Sequence, residues 1–195
     1  MKSSCSCFRL IAFLLLCGVS ASAQTIPSDA KEFNKDGLSF KYPSSWSLND
    51  ASNADAQQMT FGRADSEAQI TVFVFRTSLT TPEKIAEAKR VLVDKYVAST
   101  TKSFEQAGAH PESLPASVEI GGVKSEGVKI RASLDGVPGM AEIHSAVVGQ
   151  RLVVLTFLGP NTALTKAMPA WNAIRTTMKI EEAQPKSQPT ASPKP

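Results

Sequence analysis

The sequence has two histidines, and each has a glutamate two residues away: His110 with Glu112, and His144 with Glu142. On a strand, the spacing of Glu142 and His144 puts both side chains on one face of the sheet. His110 and Glu112 are expected in a loop after a long helix. If that loop covers the sheet, two imidazoles and two carboxylates could hold a metal ion. The simpler interpretation is that Glu142 pairs with Arg131 and that His144 is an ordinary, partly buried histidine. These two histidines and the two glutamates near them are the candidate binding residues, and we predict no metal and no cofactor.

Nucleophilic catalysis has no support in the sequence. The cysteines, Cys5, Cys7 and Cys17, all fall within the first 23 residues, and no G-x-S-x-G elbow occurs. Ser145 follows His144 directly, so on a strand its hydroxyl points to the opposite face. The paired glycines are better explained as turns than as phosphate loops. We therefore predict no catalytic residue.

The first 23 residues have the three parts of an export signal. Lys2 and Arg9 form a positive region, residues 10–17 form a short apolar run, and Ala21-Ser22-Ala23 precedes Gln24 as a small-residue cleavage site. Cleavage after Ala23 would leave a periplasmic or secreted protein. Two alternatives stay open: an uncleaved anchor, for which the apolar run is short, and a lipoprotein anchored at Cys17.

Composition indicates one globular domain from a bacterium. The chain of 195 residues is 42% hydrophobic and 20% charged, which excludes wholesale disorder. We expect a polar lead at 24–31, a single domain at 32–182 and a disordered, proline-rich tail at 183–195. Without its signal the chain has no cysteine and no glycosylation sequon, which favours a bacterial periplasmic or secreted protein. It then carries 19 basic and 18 acidic side chains, which gives no indication of nucleic-acid binding. We expect a monomer.

The remaining pattern alternates between strands and helices. Strands are predicted at 38–42, 57–63 and 69–76, and then as hairpins at 117–120, 123–134, 139–148 and 151–158. The strands at 69–76 and 151–158 are apolar on both sides, so both faces of the sheet must be covered. The turn at Gly121-Gly122 sets Glu119 opposite Lys124. A four-residue loop at 135–138 would set Arg131 opposite Glu142.

Two helices are predicted to cover the sheet. The first begins after Thr80 or Thr81, with a possible Thr80-x-x-Glu83 capping box, and ends near Gly108. Apolar spacing predicts a buried face made of Ile85, Ala88, Leu92, Tyr96 and Phe104. The second is capped by Asn161 and runs to Met178, with a kink near Pro169. Its predicted buried face consists of Ala170, Ile174 and Met178, with Trp171 at the edge.

Residues 37–46 read GLSFKYPSSW, and this stretch resembles the opening of PsbP-like domains of the Mog/PsbP type. A glycine, an aromatic strand, and then a proline and a tryptophan separated by two residues recur there. The order of elements over 32–180 is similar as well. The resemblance implies an α+β fold, in which a largely antiparallel sheet is flanked by helices on both faces as an α/β/α sandwich. It also implies a binding or accessory module rather than an enzyme, and no partner-binding motif of the family has a match in this chain.

Together these observations predict an exported, non-catalytic binding module whose partner is an unknown protein or envelope component. A periplasmic carrier of a small apolar ligand or of a metal is the alternative, and a hydrolase is the third hypothesis. Stable membrane insertion is not expected once the signal has been removed.

Overall fold

The computed structural model describes residues 29–181. The expected signal at 1–23 and the expected tail at 183–195 therefore lie outside the described residues. The strands are β1 (Ala30–Lys35), β2 (Leu38–Pro43), β3 (Ser47–Asp50), β4 (Ala56–Arg63), β5 (Ser66–Ser78), β6 (Glu112–Ala116), β7 (Glu119–Ile120), β8 (Val123–Lys124), β9 (Glu126–Leu134), β10 (Val137–Val148), β11 (Arg151–Pro160) and β12 (Lys179–Ile180). The helices are α1 (Pro82–Ala88), a π-helical segment (Lys89–Asp94), α2 (Lys95–Gln106) and α3 (Asn161–Thr177).

The main sheet has seven strands in the order β3-β4-β5-β11-β10-β9-β6, and all its pairings are antiparallel. A smaller sheet, β1-β2-β12, and a two-stranded ribbon, β7-β8, complete the strands of the described residues. Helix α3 packs on one face of the main sheet, and the α1–π–α2 segment packs on the other. The predicted α+β fold, antiparallel with helices on both faces, is confirmed.

The alternation of β5 divides the core into two halves. Ile70, Val72 and Val74 face α3, whereas Phe73 and Phe75 face the α1–π–α2 segment. β5 and β11 lie in the middle of the sheet, where both faces are covered, and this explains why both strands are apolar on both sides.

The two helical regions begin differently from the prediction. Thr81, not Thr80, caps α1, and its side chain accepts a hydrogen bond from the Lys84 N–H. The predicted Thr80-x-x-Glu83 box is therefore wrong by one residue at its start. Pro160 occupies the cap position of α3, so Asn161 is the first helical residue and not the cap.

Trp171 is buried, not at the edge of α3 as predicted. Its indole stacks on Phe157 of β11 with ring centroids 5.1 Å apart. The buried face of α3 is therefore wider than the three predicted residues, and it includes Leu164. A wide apolar stripe is usual for a helix that packs on a sheet.

The loop between β9 and β10 is shorter than predicted. Asp135 and Gly136 form a two-residue turn in which both residues have positive φ, and Leu134 pairs directly with Val137. This turn matches the twist of the strands, so Val137 and Pro138 join β10. The register moves by two residues: Met140, not Glu142, lies opposite Arg131, and Glu142 lies opposite Lys129.

Three other stretches differ from their predicted state. β1 begins at Ala30, inside the expected polar lead, and pairs with β2 across the Asp36-Gly37 turn. Glu112, expected in a loop, is the first residue of the edge strand β6. The strand predicted at 123–134 is interrupted at Ser125, where the chain passes from the β7-β8 ribbon into the main sheet.

Candidate functional site

Glu142 and His144 lie on the face of β10 that α3 covers, and their side chains meet. His144 Nε2 is 3.0 Å from Glu142 Oε1, and the second carboxylate oxygen is 3.6 Å from Lys129 Nζ on β9. The imidazole is fully enclosed, at 0% exposure, and Glu142 is also buried. The prediction of a partly buried His144 is therefore wrong, because the imidazole is fully enclosed. The predicted Glu142–Arg131 pair is also wrong, because the register of β9 and β10 sets Lys129 opposite Glu142.

Ser125 completes a buried chain of polar groups. Its Oγ lies 3.3 Å from His144 Nδ1, donates to the Val118 carbonyl at 2.8 Å and accepts from the Val118 N–H at 3.1 Å. Sequence reasoning missed Ser125 because it assumed one continuous strand through this residue. The signal that was present is Gly127, since a glycine inside a strand often marks a close approach. Gly127 pairs with His144, and the imidazole occupies the space beside it that a side chain would fill.

The order serine, histidine and carboxylate is also that of a hydrolase site, but this array is closed. Ser125 is 1% exposed, and its hydroxyl is already bonded to Val118. The indole of Trp171 also lies near His144, with the ring centroids 6.0 Å apart. A nucleophile must be within reach of its substrate. In this conformation the hydrogen-bonded residues Ser125, His144 and Glu142 can hold protons and join β7-β8 to β10. They present no atom to a substrate.

The carboxylate of Glu142, which ends this series of hydrogen-bonded side chains, makes the stability of the protein depend on pH. Burial raises the pKa of Glu142, but the hydrogen bond from His144 and the charge of Lys129 lower it more, so the pKa lies below its ordinary value of 4.5. A carboxyl whose pKa is depressed by folding stabilises the protein above its unfolded pKa, and this contribution is lost as the pH falls through the folded pKa.

We expect Glu142→Gln to unfold at lower urea concentration than the wild type at pH 7, and this difference to shrink as the pH falls below about 4.5. Urea titrations across that range measure it. Glu105→Gln, at an exposed position of α2, is the control and should follow the wild type at every pH. A difference between Glu142→Gln and the wild type that stays constant with pH would show that Glu142 is not stabilised in its charged form.

The other two candidate residues do not join this group. His110 and Glu112 are both exposed. Glu112 lies opposite Arg131 at the edge of the sheet, and β9 separates its strand from β10. Between residues 29 and 181 no group of three or more His, Cys, Asp or Glu side chains is arranged to hold a metal ion.

The second feature is the helical cover, which we define as residues 82–106: α1, the π-helical segment and α2. None of its residues is buried, whereas α3 has six buried residues. Its contacts with the sheet include Tyr96, whose ring packs edge-on against Phe73 at 5.9 Å and whose hydroxyl accepts from Thr156 at 3.3 Å. The helical cover is therefore the less tightly packed of the two helical layers.

Three cavities adjoin the helical cover. An open apolar groove of about 620 Å³ runs along α1 beside Leu79 and Leu92. A cleft of about 360 Å³ lies between the π-helical segment and strands β9 and β10. A third cavity, of about 350 Å³, is lined by Phe104 near the end of α2 and by Leu134 and Val137. The α3 side has a cavity of about 440 Å³ near Arg63 and Asp65, which form an exposed ion pair.

Comparison with known proteins identifies the fold. No protein-family model matches the chain, and no curated protein sequence matches it significantly. The solution structure of cyanobacterial PsbP from Synechocystis sp. PCC 6803 matches 84% of this chain and 98% of its own, with a TM-score of 0.51 and 11% identity. A crystal structure from Bacteroides thetaiotaomicron VPI-5482 matches 82% of this chain and 50% of its own, with a TM-score of 0.51 and 14% identity. At these identities the matches show the fold alone: the chain has a PsbP-like fold, as residues 37–46 predicted.

Among residues 29–181 no helix has the length and apolar character needed to cross a membrane.

Proposed function

We propose that this protein is an exported, non-catalytic binding module that receives a protein or an envelope component on its helical cover. The observation that carries the proposal is the difference between the two helical layers. Helix α3 completes one half of the core, whereas every residue of the helical cover keeps part of its surface in solvent. Apolar surface left in water near open grooves is typical of a surface that binds a partner.

The exposed fraction of the helical cover includes apolar side chains. Ile85, Leu92, Val93 and Val97 pack against the sheet but are only partly buried. Removing apolar area from water contributes roughly 25 cal/mol per Å², so a partner that covered these side chains would gain affinity from them. The apolar groove along α1 lies beside the same surface and has Glu83, Lys84 and Glu87 at its margin. A partner can therefore find an apolar centre with a polar margin, which is the usual anatomy of a binding interface.

The closed polar chain supports the non-catalytic part of the proposal. Ser125 and His144 are the residues whose geometry most resembles a nucleophile and its base, and neither has an exposed reactive atom. A hydrolase that used them would first have to open this enclosed site to its substrate.

Export is part of the proposal and rests on residues 1–23. The expected result is a purified chain that begins at Gln24 and has no added mass. Intact mass measurement on protein from its own cell decides among the alternatives. A lipid on Cys17 would instead make the protein a lipoprotein, and a chain that keeps its first 23 residues would make it anchored or unexported.

The partner surface is tested by placing a photo-crosslinking amino acid at exposed positions, one at a time. Glu87 lies at the margin of the groove and Ala98 lies at the rim of the cleft, so both report on the helical cover. Thr165 is the matched control, because it is exposed and helical but lies on α3. We expect the same crosslinked product from Glu87 and Ala98, and no such product from Thr165. Equal crosslinking at Thr165, or none at the two cover positions, would overturn the proposal.

A further inference from the structure

The cleft under the π-helical segment has the size and the walls of a small-molecule site. Its volume of about 360 Å³ falls within the roughly 300–1,000 Å³ that such sites occupy. Val93 and Val97 form the wall on the side of the helical cover, and Val128 and Ile143 form the wall on the sheet. These four side chains are apolar and branched, so the cleft favours an apolar occupant.

One polar group lies inside these apolar walls. Ser145 lines the cleft and is only 4% exposed. Every fully enclosed side-chain oxygen and nitrogen in residues 29–181 has a hydrogen-bond partner. The Ser145 hydroxyl makes no hydrogen bond with those residues, so it must open on the cleft. Water can reach this hydroxyl in the cleft, and a ligand with one hydrogen-bonding group would take the place of that water. A ligand without such a group would leave the hydroxyl without a partner, which is costly.

The rim of the cleft is acidic overall. Lys89 of the π-helical segment bonds to Glu126 of β9 at 2.8 Å, and this pair bridges the helical cover and the sheet. Asp94 also lines the rim, so the rim has two negative charges and one positive charge. An anionic ligand would meet this charge on its way to apolar walls, so the cleft disfavours carboxylates and sulfonates.

A salt bridge and a π-helical turn border the cleft. The Lys89–Glu126 pair is partly exposed to solvent, and pairs of this kind contribute little to stability. π-helical turns inside α-helices are rare and occur frequently at functional sites. A small opening at residues 89–94 would widen the cleft without disturbing the α3 side of the core.

We propose that this cleft binds one small, uncharged, mainly apolar molecule whose single hydrogen-bonding group meets the Ser145 hydroxyl. This inference goes beyond the proposed partner surface, because it concerns a small molecule beneath the helical cover rather than a macromolecule upon it. A crosslinked partner without a filled cleft, or a filled cleft without a partner, would separate the two proposals.

Two fluorescent probes that differ by one charged group test the chemistry. N-phenyl-1-naphthylamine is uncharged, is mainly apolar and has one N–H. 1-Anilinonaphthalene-8-sulfonate has the same rings and adds a sulfonate. Titrated with the protein isolated from its producing cell, the uncharged probe is expected to bind at one saturable site, with at least tenfold higher affinity than the sulfonate. Equal or tighter binding of the sulfonate would overturn the proposal.

Three substitutions test whether the uncharged probe binds in the cleft. Val97→Trp fills the cleft and should abolish saturable binding. Ala98→Trp narrows it from the rim at an exposed position, so it should weaken binding even if Val97→Trp fails to fold. Ser145→Ala removes the hydrogen bond and should weaken binding about threefold to tenfold.

Leu134→Trp is the matched control, because it adds the same side chain at the cavity near the end of α2. It should bind the uncharged probe as the wild type does. Loss of binding in Leu134→Trp, or full binding in both Ala98→Trp and Ser145→Ala, would show that the probe lies elsewhere.

Discussion

Replacing Gly127 with alanine is expected to destabilise the protein by about 3 kcal/mol, at the upper end of what overpacking a core costs. The added Cβ would lie 2.6 Å from the carbonyl oxygen of Ile143 and would enter the space of the His144 imidazole. The carbonyl belongs to the backbone of β10, so it cannot move aside without disturbing the pairing of β9 and β10. The same methyl group would also displace His144 from Ser125.

Urea unfolding measures this effect, and Gly62→Ala is the matched control. Gly62 also lies in a strand of the main sheet, its φ is not positive, and a Cβ there would have no atom within 4 Å. We expect Gly62→Ala to change the free energy of unfolding by no more than about 0.5 kcal/mol. If Gly127→Ala is as stable as Gly62→Ala, the His144 imidazole does not lie against Gly127. The hydrogen-bonded residues Ser125, His144 and Glu142 would then not be enclosed as described.

Leu164→Ala and Leu92→Ala are expected to have very different costs, although the chemical change is the same. Leu164 is buried on α3, so its loss should cost about 3 kcal/mol through the cavity that it leaves. Leu92 lies on the helical cover and is only partly buried, so its loss should cost about 1 kcal/mol. Urea unfolding of both variants gives the comparison. Equal losses would contradict the description of the helical cover as the less tightly packed layer.

Much of the fold could be predicted because its signals are local and strong. The two strands that are apolar on both sides required a sheet covered on both faces, and β5 and β11 lie in the middle of such a sheet. The apolar stripe from Ile85 to Phe104 placed the first long helix on the sheet, and those side chains pack there. Residues 37–46 predicted the PsbP-like fold, which the comparisons with solved structures confirm.

The candidate site was only half predicted, because its geometry depends on register and on breaks in strands. Glu142 and His144 were found from their spacing, since alternation along a strand is a local property. Their partners were not found. The turn between β9 and β10 has two residues instead of four, so Lys129 and not Arg131 lies opposite Glu142. The strand is interrupted at Ser125, and this places the Ser125 hydroxyl beside His144.

Trp171 and β6 were missed for a related reason. Whether an indole at the margin of a helical stripe is buried depends on what the sheet places beneath it, and here Phe157 provides a flat surface. β6 is a short edge strand that contains Pro115, and its sequence has no alternating pattern. Tertiary pairing with β9 decides its state, and propensity does not.

The two helical layers are unequal: α3 is part of the core, and the helical cover is packed less tightly on the sheet. Amide hydrogen exchange followed by mass spectrometry tests this claim most directly, because it reports the opening of each segment separately. We expect amides in residues 82–106 to exchange at least about tenfold faster than those in residues 161–177, which corresponds to about 1.4 kcal/mol less protection. Equal protection of the two segments would contradict the claim and, with it, the placing of the binding surface on the helical cover.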